Sequence, residues 1–257
     1  MWPPVGKRHT CFKSTIQVGL VKHPGPTSFE ENRWCKNSTL VEKKMNKNEI
    51  KSRWQKLPVL SLSLGLISCL LFFSSTLRQA LEYDRAAVAG GEVWRIVTGH
   101  FIHWNLGHLL WNVAVFCLLG ILSEFYDEKG YFLCLSVSTL MIPLVLWWLQ
   151  PDLASYRGLS GLASGLFLLM ALRVLIDNFC NRQWLPAAAA LACTAAFFGK
   201  VIFETISGAT VFAETDGLYQ PVPLVHFVGG LIGISVALLG IHGDGRRNQV
   251  TILLPAL

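Results

Sequence analysis

A chain of 257 residues that is 52% apolar and only 15% charged, with a mean hydropathy of +0.44, departs from the composition of water-soluble proteins. Six apolar runs joined by short polar connections leave too little polar sequence to coat a soluble core, which sets aside soluble enzymes and soluble binding modules. The net charge of +6 needs no nucleic-acid partner, because contact with anionic lipid accounts for it.

Residues 1–56 are polar, rich in basic residues and without a sustained helical or strand period, so disorder is expected there. Within them Met45 opens Met-Asn-Lys-Asn-Glu-Ile-Lys-Ser-Arg-Trp-Gln-Lys, a basic lead into the first apolar run. Translation starting at Met45 is one hypothesis, and an intact mass beginning at Met1 would contradict it. No short apolar core followed by a small-residue cleavage site is present, so the first span is expected to stay as an anchor. The seven cysteines follow no CxxC or other metal-type spacing, and the five in or beside spans read as small apolar packing residues.

Runs near the roughly 20 residues needed to cross hydrocarbon lie at Leu57–Leu77, Trp104–Ser123, Tyr131–Leu149, Gly158–Ile176, Trp184–Phe203 and Pro221–Ile241. The expected fold is all-α: a polytopic membrane protein with one six-helix bundle over residues 57–243 and a short tail, 244–257. With both termini on one side, that side collects 17 of the 22 Lys and Arg residues and the other keeps 5. The positive-inside rule then makes both termini cytoplasmic.

The loop Arg78–His103 is long for a connection without helices of its own, which points to a functional segment. Its Trp94-Arg95 pair suits an aromatic anchor and a snorkelling cation at the membrane interface. The second span opens with His103, His108 and Asn112. His108 and Asn112, four residues apart, share one helix face, whereas His103 is better placed in the loop. These side chains either tie a loop to helix ends or aim donors at an oxyanion. A metal site would want a converging carboxylate, which is missing nearby. Farther on, Glu124 reads either as an internal brace or as a solvated helix-end carboxylate.

The fourth span opens Tyr156-Arg157-Gly158-Leu159-Ser160-Gly161, with Gly165 beyond. Its glycines and serine suit helix packing. They also suit a nucleophilic Ser160 with Gly161 clearing space for a backbone N–H to meet a carbonyl. Lys200 and Glu204, four apart on the fifth span, form an ion pair in a structural or gate-like role. The following loop, with Glu214 and Asp216, has the composition of a lid. On the sixth span His226 sits inside apolar sequence, which is costly without a partner or a task. Gly229 and Gly233 lie on nearly its face and let a neighbouring helix approach.

Spans two, four and six start on the same side. His108, Asn112, Ser160 and His226 each lie within about two turns of those starts, hence in one layer of the membrane. A serine, a histidine and two donors in one layer are the parts of a serine hydrolase. With no carboxylate expected at that depth, they would form a Ser-His dyad whose ring is held by packing.

From about Leu57 to Ile241 the chain resembles the rhomboid intramembrane serine proteases. The likeness rests on Trp94-Arg95, the histidines and asparagine at His103, His108 and Asn112, Gly-x-Ser-Gly at 158–161, and His-x2-Gly-x3-Gly at His226, Gly229 and Gly233. It implies a six-helix fold, Ser160 as nucleophile, His226 as base and then acid, and no cofactor. His108, Asn112 and the Ser160 backbone N–H would form the oxyanion hole, with His103, Gly158, Gly161, Trp94 and Arg95 in support. Thr-Gly-His-Phe-Ile-His at 98–103, Tyr-Arg-Gly-Leu-Ser-Gly at 156–161 and the Lys200/Glu204 region are similar to the rhombosortase branch. Two positions depart from that pattern: Val225 replaces an alanine, and Ser164 stands in place of a histidine. The branch implies membrane-anchored substrates bearing a C-terminal Gly-Gly motif, an apolar helix and a basic tail. Cleavage would occur at the outer face of a bacterial inner membrane, with possible transfer to an acceptor. The alternative is a catalytically silent rhomboid-like escort that grips membrane helices, although such relatives typically lose the serine or histidine. A transporter would want polar residues deeper and on more helices.

Overall fold

The computed structural model describes residues 58–211 and 221–243. The disorder expected before the first span, the Met45 start, the Glu214–Asp216 stretch and the tail from 244 lie outside the described residues.

The described elements are α1 (Val59–Phe72), α2 (Ser75–Leu81), β1 (Tyr83–Asp84), α3 (Arg85–Ala89), α4 (Arg95–Thr98), a 3-10 turn (Gly99–Phe101), α5 (Leu106–Tyr126), α6 (Glu128–Leu149), β2 (Ser155–Tyr156), α7 (Ser160–Cys180), α8 (Trp184–Ser207) and α9 (Pro223–Gly243). Helices α5, α6, α7, α8 and α9 are long and apolar enough to cross a membrane. The first expected span differs: its apolar run is broken into α1 and α2, bent by 118°. Ser74 causes the break, because its side chain caps α2 by accepting from the Leu77 N–H at 3.3 Å. Counted as one unit, the pair brings the spans to six.

Large apolar side chains such as Leu118, Phe132, Leu144, Leu185, Ile206 and Leu239 cover the outside of the bundle. In water that surface would drive aggregation; in lipid it is the solvated face. The chain is therefore an all-α, multi-pass membrane protein.

Helix α7 is the most enclosed span and packs most extensively on α9. Small residues bring the two backbones together. A Cβ on Gly229 would collide with the Gly161 carbonyl oxygen, and one on Gly233 with that of Gly165. Gly161 and Gly165 thus face Gly229 and Gly233 as a small-residue seam.

Polar side chains close the remaining gaps. Pro143 lies inside α6 and has no N–H, so the carbonyl of Thr139, four residues earlier, loses its helical partner. The His100 Nε2–H donates to that carbonyl at 3.0 Å. Pro151 likewise cannot serve the Trp147 carbonyl, which accepts from Arg85 Nη2 at 2.7 Å. These two bonds anchor the 78–103 loop to α6, one at mid-helix and one at its end. Glu124 is the internal brace: its carboxylate accepts from the Ser61 hydroxyl at 2.8 Å and the Ser61 N–H at 3.4 Å, joining α5 to α1. At the same end, buried Arg173 donates twice to Asp127, at 3.0 and 2.7 Å.

Candidate active site

The start of α5 sets two of the site's side chains. Asn105 caps the helix, its side chain accepting from the His108 N–H at 2.7 Å. His108 and Asn112 follow one turn apart on the inward face, both buried. Asn112 Nδ2 has no hydrogen-bond partner among the described residues. His103, in the loop before the helix, is fully buried with its ring edge-on to His108 at 5.2 Å.

The 78–103 loop is laced to the segment that introduces Ser160. Tyr83 pairs with Tyr156 and Asp84 with Ser155 in an antiparallel two-residue ribbon. The Gly158 N–H donates to the Gly99 carbonyl at 3.2 Å, and the Tyr156 hydroxyl donates to the Gly158 carbonyl at 2.7 Å. Arg157 pairs with Glu82 and lies 3.9 Å over the Trp104 ring. Gly158 has φ of +126°, a conformation other residues rarely adopt. A Cβ there would sit 3.0 Å from His108 Cε1 and 3.6 Å from Asn112 Nδ2. Gly158 is thus a loop residue pressed against His108 and Asn112, and not part of the helical small-residue face expected for it.

Ser160 is the first residue of α7, and no side chain caps that helix. The N–H groups of Ser160, Gly161 and Leu162 precede the first helical acceptor, so the positive end of the helix dipole lies at the serine. Gly161 meets the packing expectation: a Cβ there would meet Ile142 Cδ1 at 2.8 Å and the Val225 carbonyl at 3.2 Å. Its missing side chain makes room for α6 and α9. Gly158 is the glycine that clears space beside His108 and Asn112.

His226, one turn into α9, is held by Ser164, which stands where the rhombosortase pattern has a histidine. The Ser164 hydroxyl donates to the Ser160 carbonyl at 2.8 Å and stands 3.1 Å from His226 Nδ1. A hydroxyl carries one proton. With that proton on the carbonyl, Ser164 Oγ accepts from Nδ1–H, which leaves Nε2 as the bare, basic nitrogen. The ring is therefore held by a hydrogen bond as well as by packing.

Also corrected is the expectation that no carboxylate reaches this layer. Glu204, 3% exposed, pairs with Lys200 at 2.8 Å as its spacing implied, and its Oε2 lies 3.8 Å from His226 Nε2. The other carboxylate oxygen accepts from the Val211 N–H at 3.2 Å.

Ser160, His226, His108 and Asn112 line one cavity of about 320 Å³, together with Lys200, Glu204, Tyr156 and Trp111. Trp94 and Arg95 stand away from it. Arg95 is not a snorkelling cation: it is buried, with Nε 2.6 Å from Glu92 and Nη1 donating to the carbonyls of Gln79 and Glu82 at 2.7 and 3.0 Å. It staples the loop, while half-exposed Trp94 donates through Nε1 to the Ala80 carbonyl at 3.3 Å. Burial holds the loop histidines neutral, His100 pushed down to about 4 and His103 to about 3. Burial likewise raises the Tyr156 phenol, against the opposing effect of the Ser160 side chain.

No match to the chain was found among curated proteins. A family model for the Rhomboid domain matches residues 90–243, more than half of the chain and all the residues that line the cavity. Members of that family are generally intramembrane serine proteases acting on membrane-protein substrates. With this match over five of its long helices, the chain belongs to the rhomboid family.

Proposed function

We propose that this chain is an intramembrane serine endopeptidase working through Ser160 and His226. The observation that carries the reading is the convergence of Ser160 from α7, His226 from α9 and His108 with Asn112 from α5 on one cavity. Ser160 Oγ attacks the substrate carbonyl as its proton passes to His226 Nε2, while Nδ1–H stays on Ser164. The oxyanion is met by Asn112 Nδ2, His108 and the Ser160 N–H at the positive end of α7. Collapse expels the amine, which takes the proton from His226. An incoming water, or another nucleophile if the acyl group is transferred, repeats the cycle in reverse.

The substrates are membrane-anchored proteins with C-terminal Gly-Gly, apolar-helix and basic-tail signals, as in the rhombosortase branch. The motifs at 98–103 and 156–161 and the Lys200/Glu204 pair support that branch. Both termini face the cytoplasm of a bacterial inner membrane and the cavity opens to the outer side, in keeping with the distribution of Lys and Arg. Co-expression with a Gly-Gly tailed substrate tests the reading. Wild type cleaves it, and Ser160→Ala and His226→Ala each lose cleavage by several orders of magnitude. Cleavage by Ser160→Ala at the normal rate would overturn it.

A further inference from the structure

A buried carboxylate beside the base of a two-residue catalytic pair has no place in the mechanism above. Glu204 Oε2 lies 3.8 Å from His226 Nε2, too far for a hydrogen bond and within reach of an ion pair once the imidazole is protonated. The carboxylate does not float: Lys200 Nζ holds Oε2 at 2.8 Å and the Val211 N–H holds Oε1 at 3.2 Å. Both Lys200 and Glu204 line the cavity that contains Ser160. An ion pair serving only to stitch one helix could sit equally well at the solvated helix end. This one is buried with its negative end toward the nitrogen that receives the proton.

We propose that Glu204 is a positioning residue for His226, supplying fixed negative charge to the imidazolium at its Nε2 edge, with Lys200 balancing that charge in the resting state. The inference rests on the assignment of Ser160 and His226 above. Glu204 takes no proton: the proton moves from Ser160 Oγ to Nε2 and later to the leaving group. In triads of the familiar kind the carboxylate orients the other ring nitrogen. Here the Ser164 hydroxyl occupies the Nδ1 edge, so the carboxylate can act only from the Nε2 side.

The charged and polar groups that share the cavity with His226 or touch its ring set the expected signs. From α8 come Glu204 and Lys200; from α7, Ser160 and Ser164; from α5, His108 and Asn112; and from the 150–158 segment, Asp152 and Arg157. Removing the carboxylate leaves the Lys200 cation to oppose protonation of His226. Removing Lys200 leaves an uncompensated carboxylate that favours it. The two changes should therefore move the same titration in opposite directions.

The test uses the full chain in detergent or bilayers and a fluorophosphonate, which needs no knowledge of the natural substrate. Ser160 Oγ bonds to phosphorus, the P–F bond breaks, fluoride leaves, and His226 takes the serine proton. Wild type should label with an acid limb in its rate–pH profile, and Ser160→Ala should not label. Glu204→Gln, which preserves shape and can still accept from Lys200, should move the acid limb down by about one pH unit or more, the shift an opposite charge at this distance produces. Its plateau rate should fall roughly tenfold, the factor corresponding to one unit. Lys200→Gln should move the limb up, and Glu204→Asp should stay nearer to wild type than Glu204→Gln. If Glu204→Gln does not fold, the Lys200→Gln limb decides alone. A purely structural pair would lower the melting temperature in both variants and leave both limbs in place. Unmoved limbs, or limbs moving the same way, overturn the proposal while leaving Ser160 and His226 standing. Failure of wild type to label at Ser160 overturns the underlying assignment and this proposal with it.

Discussion

The Ser164 hydroxyl stands 3.1 Å from Nδ1 of His226 and donates its own proton to the Ser160 carbonyl at 2.8 Å, so one side chain joins the two residues that face each other across α7 and α9. Ser164→Ala removes the acceptor for Nδ1–H and leaves that donor buried. An unsatisfied donor costs about 1–3 kcal/mol, so substrate cleavage should slow by roughly tenfold or more while the bundle still folds. The measurement is cleavage rate beside a melting curve in detergent; an unchanged rate would mean that packing alone orients the ring.

Asn112 presents a buried Nδ2 without a hydrogen-bond partner among the described residues, next to Gly158 in the cavity wall. Asn112→Ala should lower kcat by about 10²–10³, the usual effect of losing one oxyanion donor. KM should change little, because the donor matters most when the carbonyl oxygen becomes negative. A raised KM with kcat unchanged would instead mark Asn112 as a ground-state binding residue.

The α7–α9 seam makes a prediction about stability that is separate from chemistry. A methyl group on Gly229 collides with the Gly161 carbonyl, and rigid backbone on both sides leaves nowhere to shift. Gly229→Ala should destabilise by about 1–3 kcal/mol, as overpacking does. Gly199 in α8 has open space around it. Gly199→Ala should be neutral or stabilising by up to ~1 kcal/mol, through lower backbone entropy in the unfolded chain. Thermal melts of the two variants side by side check this.

The buried loop histidines give the fold a pH dependence. His100 is held down to about 4 and His103 to about 3 by burial, against an ordinary 6.5. Between pH 6.5 and those values the unfolded chain binds protons that the folded chain refuses. Stability is therefore fully present above 6.5 and is lost as pH falls toward 4. The melting temperature should decline across that window, and His100→Gln, which keeps a donor for the Thr139 carbonyl, should flatten part of the slope. A melting temperature independent of pH from 7 to 4 would contradict the burial of these rings.

The long helices were legible because hydropathy over 20 residues needs no knowledge of neighbours: Trp184, for example, begins both the apolar run and α8. The grouping of His108, Asn112, Ser160 and His226 was legible from depth alone, since helices that start on one side put their first turns in one layer. What the chain did not disclose is helix rotation. The i,i+4 spacing of Lys200 and Glu204 announces an ion pair but not the direction it faces, which is set by how α8 packs on α7. Gly158 shows the same limit, because its place in the loop against His108 and Asn112, outside the helical small-residue face, depends on contacts with α5 that its own neighbours in sequence do not reveal. Arg95 was misread because an arginine next to a tryptophan suits a membrane interface, whereas the carbonyls that bury it come from residues 79 and 82. The break between α1 and α2 had a local signal, Ser74 as a cap, masked by apolar residues on either side.

Whether Ser160 is an activated nucleophile is decided by mapping where a covalent probe attaches. After treatment of the full chain with a fluorophosphonate, peptide mass spectrometry should find the adduct on Ser160, lost in His226→Ala under the same conditions. An adduct on another residue, or labelling of Ser160 that persists at the wild-type rate without His226, would contradict it.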